Sequence, residues 1–199
     1  MQQVATPRSV MIDAVWPATT VGRLRDLTLA FAGAFFIALS AQLEIPLTPV
    51  PITAQTFAVL LVAAAYGRKR GVAAMATYLA LGLVGLPVFA GGAAGIARVL
   101  GPTGGYLLSY LPTAYVVGWL SEKGWDRKLW STALAMIIGN AVIYLTGALW
   151  LSRFVPEGTV LQTGVLPFLP GDALKIALAT VLVPTVWRLI GRERDTRST

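Results

Sequence analysis

The sequence contains neither cysteine nor histidine among its 199 residues. Thiol nucleophiles and disulfides are therefore excluded, as are thiolate or imidazole metal sites, histidine-ligated haem and any Ser-His-Asp triad. Charge is also scarce, at 13% of residues against 56% apolar, where an ordinary soluble domain carries about 25% charged residues. A leader-like apolar segment is missing from the polar stretch up to Asp26. We therefore expect no cleaved signal peptide, and the first apolar run itself acts as the targeting signal. Gly101-Pro-Thr-Gly-Gly105 lacks the Gly-Lys-Ser/Thr ending and the preceding strand of a phosphate loop, so no ATP site is expected.

What the chain has instead is long uncharged runs: Leu27–Leu43, Ile45–Gly67, Gly71–Ala97, Val99–Ser121 and Leu129–Ser152, of 17, 23, 27, 23 and 24 residues. A helix of about 20 mostly apolar residues crosses a bilayer. A sixth segment, Gly171–Trp187, crosses if Asp172 and Lys175 are tolerated at its outer end. The expected fold is all-α, a six-helix transmembrane bundle of residues 23–190 between an N-terminal tail (1–22) and a C-terminal tail (191–199).

Net charge is +7, and its placement decides what it means. Thirteen of the sixteen basic residues fall in four short stretches around Arg8–Arg25, Arg68–Arg70, Lys123–Lys128 and Arg188–Arg197. With six spans, these are the two ends and the second and fourth connections. All lie on one side, which the positive-inside bias makes the cytoplasm. Both termini are then cytoplasmic, in a multi-pass protein of the bacterial cytoplasmic membrane. Anionic headgroups account for the basic excess, so no nucleic-acid partner is expected.

The outer connections are irregular. Glu44-Ile-Pro-Leu-Thr-Pro-Val-Pro51 holds three prolines, which forbid a regular helix. Val88–Gly105 is rich in glycine, and Ser152–Pro170 carries Pro156, Pro167 and Pro170. Non-helical backbone at membrane depth is tolerated only where protein buries it or it lines a cavity. Function is therefore expected on the outer face. No internal repeat is evident that would suggest an inverted-repeat carrier.

Few side chains can carry chemistry there. Asp172 and Lys175 are three apart and share a helix face at the start of the last span. The pair reads either as an interfacial anchor or as a ligand site. The helix dipole favours Asp172 there but not Lys175, which tips the balance toward a ligand. Arg98, the lone charge between Arg70 and Glu122, can clamp a carboxylate or snorkel to headgroups. Asn140 and Tyr144 at i+4 suit interhelical hydrogen bonds or ligand contacts. Gln55 and Thr53 stand beside the proline segment as caps or contacts. Phe89, Tyr106, Tyr110, Trp150 and Phe168 read by default as an interfacial aromatic belt, with a pocket wall as the alternative. Ala30, Ala34, Ala38 and Ala41 form a small-residue stripe on the first helix, suited to packing within the bundle or to docking a second membrane protein.

Taken in order, several strings resemble the BioY family, the biotin-binding S components of energy-coupling factor transporters. They are Pro49-Val-Pro-Ile-Thr-Ala-Gln-Thr-Phe57, Gly85-Leu-Pro-Val-Phe-Ala-Gly-Gly92, Gly101-Pro-Thr-Gly-Gly-Tyr106, Gly139-Asn140 with Ile143-Tyr144, and Pro167-Phe-Leu-Pro-Gly-Asp-Ala-Leu-Lys175. The resemblance covers about residues 27–190. It implies an outward-facing biotin pocket and partnership with a transmembrane coupling protein and two cytoplasmic ATPases. Ala30, Ala34 and Ala38 match the helix motif that contacts the coupling protein. The implied ligand residues are Asp172, Lys175, Arg98, Asn140, Tyr144, Gln55, Phe89, Gly91 and Tyr106, with no catalytic residue, no metal and no cofactor other than biotin as cargo. Asp172 suits the ureido N–H donors, and Lys175 or Asn140 the ureido oxygen. Arg98 or the backbone N–H groups of the glycine loop suit the valerate carboxylate. The competing expectations are an S component for thiamin or riboflavin, a membrane-embedded enzyme using Asp172 and Lys175, and an ion-coupled carrier.

Overall fold

The computed structural model describes residues 10–16 and 22–196, with side chains up to residue 190; the expected tails, 1–22 and 191–199, lie in part outside the described residues. A short helix, α1 (Met11–Val15), precedes α2 (Gly22–Ala41). Two-residue strands β1 (Glu44–Ile45) and β2 (Ile52–Thr53) pair antiparallel around the proline segment. Then come α3 (Gln55–Leu83), α4 (Ile96–Leu100), α5 (Gly104–Glu122), α6 (Leu129–Leu151), α7 (Val160–Gly164) and α8 (Leu169–Thr196).

α3 is helical throughout except at Gly67, whose φ of 76° and ψ of 177° break it. The break is a reversal. A straight helix would set Gln55 and Tyr78 about 35 Å apart, yet the Gln55 amide donates to the Tyr78 hydroxyl at 2.6 Å. A Cβ on Gly71 would sit 3.3 Å from the Ala63 backbone, eight residues earlier and on the other side of the bend. Residues 55–66 and 68–83 are thus two antiparallel arms, as the polar Arg68-Lys69-Arg70 break suggests. Only glycine takes that φ without strain. Glu122 completes the bend by accepting from the Arg68 backbone N–H at 3.0 Å and pairing with its guanidinium at 3.1 Å.

α3 packs against α2, α5 and α8, while α6 bridges α5 and α8. The helices are apolar inside and out. Ala34, Ile37, Leu60, Met75, Val117 and Ile143 are buried, whereas Leu24, Phe31, Phe35, Leu145, Leu149, Leu174 and Val181 are each more than half exposed. A helix apolar all round belongs in a protein core or a bilayer. Among the described residues, three helical stretches are long and apolar enough to cross a membrane: Gly22–Ala41, Leu129–Leu151 and Leu169–Ile190.

The basic stretches meet at one end. Asp13 of α1 pairs with the buried Arg25 and with Arg70, both at 2.8 Å, and Arg70 also pairs with Asp26 at 2.7 Å. In the turn before α6, Asp126 accepts from the indole N–H of Trp187 near the far end of α8. Asp126 is 1% exposed, and burial pushes its carboxyl up to about 6 despite that hydrogen bond and Arg127 nearby.

Three local features depart from expectation. The proline segment is closed by a hairpin, because Ala54 N–H donates to Leu43 O across its base. The outer loops carry α4 and α7, and a helical stretch, α1, lies within residues 10–16. The last helix begins at Leu169 rather than near Gly171, since Pro170 is tolerated in a first turn where its missing N–H costs nothing.

Candidate ligand-binding site

A cavity of about 600 Å³, counted to its open mouth, lies at the end opposite the basic stretches. Its wall draws on the proline segment, the first arm of α3, the glycine-rich loop with α4, and α5, α6 and α8. Asp172, Lys175, Arg98, Gln55, Tyr144, Phe89 and Tyr106 all line it, so the structure brings together seven of the nine ligand residues expected from sequence.

Its polar centre is Asp172, only 4% exposed. Oδ1 accepts from the Lys175 ammonium at 2.7 Å and the Thr56 hydroxyl at 3.2 Å. Oδ2 accepts from the Asn140 amide at 3.2 Å and from the Tyr144 hydroxyl. Lys175 Nζ also donates to Thr53 O at 2.7 Å and to Thr56 Oγ1 at 3.0 Å, so all three of its N–H bonds are used. The cation disfavoured near a helix N-terminus is held by these acceptors, on the second turn of α8. A buried charge pair with its remaining valences satisfied is fixed in place, since unpairing either member leaves an uncompensated charge.

Arg98 differs. It lines the cavity from α4, and its guanidinium has no hydrogen bond or ion pair among the described residues. Gln55 lines the wall with its carbonyl accepting from the Thr53 hydroxyl at 3.1 Å and its amide spent on Tyr78. Tyr106 donates to Gly164 O at 2.7 Å, tying α5 to α7. Phe89 is fully buried, edge-on to Tyr78 at 5.6 Å.

Several expectations need correction. Phe89, Tyr106, Tyr110 and Phe168 are at most 9% exposed and wall the cavity, so they are not an interfacial belt. Trp150 is half-buried and donates to Gly101 O at 2.9 Å. Asn140 stands behind Asp172 rather than on the wall, and its Oδ1 is buried without a partner. Gly91 is exposed beside Glu44 and does not line the cavity. Three backbone N–H groups of the glycine loop are already engaged: Gly92 donates to Gln42, Ala93 to Ala90 and Gly95 to Gly82. Ala30 and Ala34 are 7% and 0% exposed and Ala38 packs on the core. Gly33, on the same face, lies against Ala74, Tyr66 and Val62. That stripe packs in part against α3. Thr56, the hydroxyl shared by Asp172 and Lys175, was missed because one threonine in an apolar run carries no signal. Among the described residues no group of three or more Cys, His, Asp or Glu could hold a metal.

The BioY family model matches residues 10–192. The chain belongs to the BioY family. Similar relatives include the probable biotin transporter BioY of Pyrococcus horikoshii, 40% identical over 152 residues, covering 75% of this chain and 90% of the relative. The biotin transporter BioY of Thermotoga maritima is 38% identical over 160 residues, covering 80% and 94%. A crystal structure of the S-component for biotin from an ECF-type ABC transporter superposes with a TM-score of 0.74 at 31% identity, covering 86% of this chain and 95% of that one. BioY proteins are transport components, not enzymes, so the membrane-enzyme alternative falls.

Proposed function

We propose that the chain captures biotin from outside the cell as the substrate-binding membrane subunit of an energy-coupling factor transporter. The observation that carries this reading is one cavity lined by both the enclosed Asp172–Lys175 centre and an Arg98 guanidinium that has no side-chain partner among the described residues. Biotin needs both kinds of group. Its ureido ring offers two N–H donors and an oxygen acceptor, and its valerate ends in a carboxylate. Its thioether ring is apolar and suits the wall of Phe89, Tyr106, Tyr110, Ile143 and Phe168.

Each Asp172 oxygen already holds two donors. A ureido N–H reaches the carboxylate by displacing a neutral hydroxyl, Thr56 or Tyr144, which then turns to hydrogen-bond elsewhere. The Lys175 ion pair stays. The ureido oxygen accepts from Lys175 or from a displaced hydroxyl, and Arg98 takes the valerate in a charge-assisted, bidentate pair. An analogue lacking the ureido N–H groups leaves the hydroxyls on Asp172 in place and forgoes the hydrogen bonds to the carboxylate, which contribute about 1.5–3 kcal/mol each.

Around this site, α2, the two arms of α3, α5, α6 and α8 form six spans, with the end gathering the basic stretches in the cytoplasm. Residues 23–190 are the membrane domain, flanked by cytoplasmic tails, in the bacterial inner membrane. Uptake is energised by a transmembrane coupling protein with two cytoplasmic ATPases. Calorimetric titration of the purified chain tests the ligand. Biotin should bind one to one, whereas thiamin and riboflavin should release no binding heat. Preferential binding of either other vitamin would overturn the assignment.

A further inference from the structure

The cavity wall includes a stretch, Phe89–Arg98, that lies outside the long helices. It holds Phe89, Ala90 and Arg98 against the ligand space, so something must fix its backbone. The side chain best placed to do so is one that lies outside the cavity. Gln42, just beyond the C-terminal end of α2, donates from Nε2 to Phe89 O at 3.2 Å and accepts at Oε1 from Gly92 N–H at 3.1 Å. The same Nε2 donates to Ala38 O at 3.1 Å, which anchors the amide to its own helix. One amide therefore spans both ends of the Ala90–Gly92 turn.

The rest of the stretch is seated to match. The Phe89 ring occupies the space over Gly82, where an added Cβ would come within 2.1 Å of it. Val88 O accepts from the Tyr78 hydroxyl at 3.2 Å, and Gly95 N–H donates to Gly82 O at 2.8 Å. All of these seats lie on the second arm of α3. Gln42 supplies the hold from α2, and it does so with a donor and an acceptor that no other residue type presents at that length.

We propose that Gln42 is a positioning residue for ligand binding: its amide latches the Phe89–Gly92 turn to α2 and so sets where Phe89 and Arg98 face the cargo. This rests on the biotin reading above. Gln42 never touches the ligand. Losing the latch lets the turn open, so the effect falls on escape of bound ligand more than on the fold. A glutamate at this position keeps the acceptor for Gly92 but sets a carboxylate oxygen against Phe89 O, so the isosteric change also breaks half of the latch.

The test measures release of labelled biotin from the full chain by chase with unlabelled biotin. It is paired with amide hydrogen exchange and ligand-free thermal unfolding. Q42A should release biotin at least ~10-fold faster, with Q42E between it and wild type. Ligand-free melting should be unchanged, and faster exchange should be confined to about residues 88–98. Release rates equal to wild type in both variants would overturn the proposal. So would a uniform rise in exchange with a lowered melting point, which marks a merely structural role. Should Q42A fail to fold, Q42E still decides: the Gly92 N–H also donates to Phe89 O at 3.1 Å within the turn, so the release rate is the readout, and a Q42E rate equal to wild type contradicts the latch. A wild-type chain that binds no biotin would sink the functional reading instead, leaving the latch to be judged by the exchange of residues 88–98 in the variants.

Discussion

Replacing Asp172 with asparagine keeps the side chain's shape, removes its charge and turns one acceptor oxygen into an NH2 donor. If the NH2 takes the place of Oδ1, it faces the Lys175 ammonium now 2.7 Å away and the Thr56 hydroxyl at 3.2 Å. Two donors then oppose each other, and no rotation of an ammonium relieves that. If it takes the place of Oδ2, it faces the Asn140 amide at 3.2 Å, and Asn140 can flip to present the Oδ1 that is unpartnered in the wild type. The second arrangement is preferred, so D172N should fold. What it cannot restore is the negative charge that holds Lys175 and meets a ureido N–H. Hydrogen bonds to charged groups contribute about 1.5–3 kcal/mol. Taking about 2 kcal/mol, biotin affinity should fall ~30-fold. Calorimetry on the detergent-purified variant reads this directly. A folded D172N protein with affinity within about twofold of wild type would refute the role given to the carboxylate.

Arg98→Gln should weaken biotin at least ~10-fold while leaving an uncharged biotin amide nearly unaffected; equal losses for both ligands would remove Arg98 from the carboxylate end. Ala34→Trp should lower the melting temperature, since Ala34 is fully buried and overpacking costs about 1–3 kcal/mol or more; an unchanged melting point would mean that α2 stands free of α3. Asp126 gives a pH signature. Its carboxyl is raised to about 6 in the fold, above the ordinary value near 3.9. The folded state therefore binds the proton more tightly, and stability falls as pH rises from about 4 to about 6 and levels off above. The loss amounts to at most ~3 kcal/mol at about 1.4 kcal/mol per unit. Thermal unfolding of D126N should lack this component, and a difference between variant and wild type that is flat from pH 4 to 7 would contradict it.

Much of the architecture is written in the apolar runs and their interruptions. Arg68-Lys69-Arg70 marks the reversal at Gly67, and the three prolines after Glu44 mark the wall that sits above the first arm of α3. The Asp172–Lys175 pair stands out because ionisable groups are so rare in the chain. What periodicity does not reveal is which face of an all-apolar helix meets protein and which meets lipid. Hence the alanine stripe of α2 looks like a docking face although it packs in part against α3, and Phe89 and Phe168 look like belt residues although they wall the cavity. The glycine loop looks like an array of free N–H groups, but whether an amide is spent depends on partners far away in sequence, such as Gln42 for Gly92. Thr56 is silent for the same reason, being defined by two residues more than a hundred positions later.

The structure of the chain with biotin bound tests the central claim most directly. The account predicts the ureido ring in the cavity with an N–H about 3 Å from an Asp172 oxygen, and the valerate carboxylate against Arg98. Biotin seated in the reverse direction, or outside this cavity with the Asp172–Lys175 centre untouched, would contradict it.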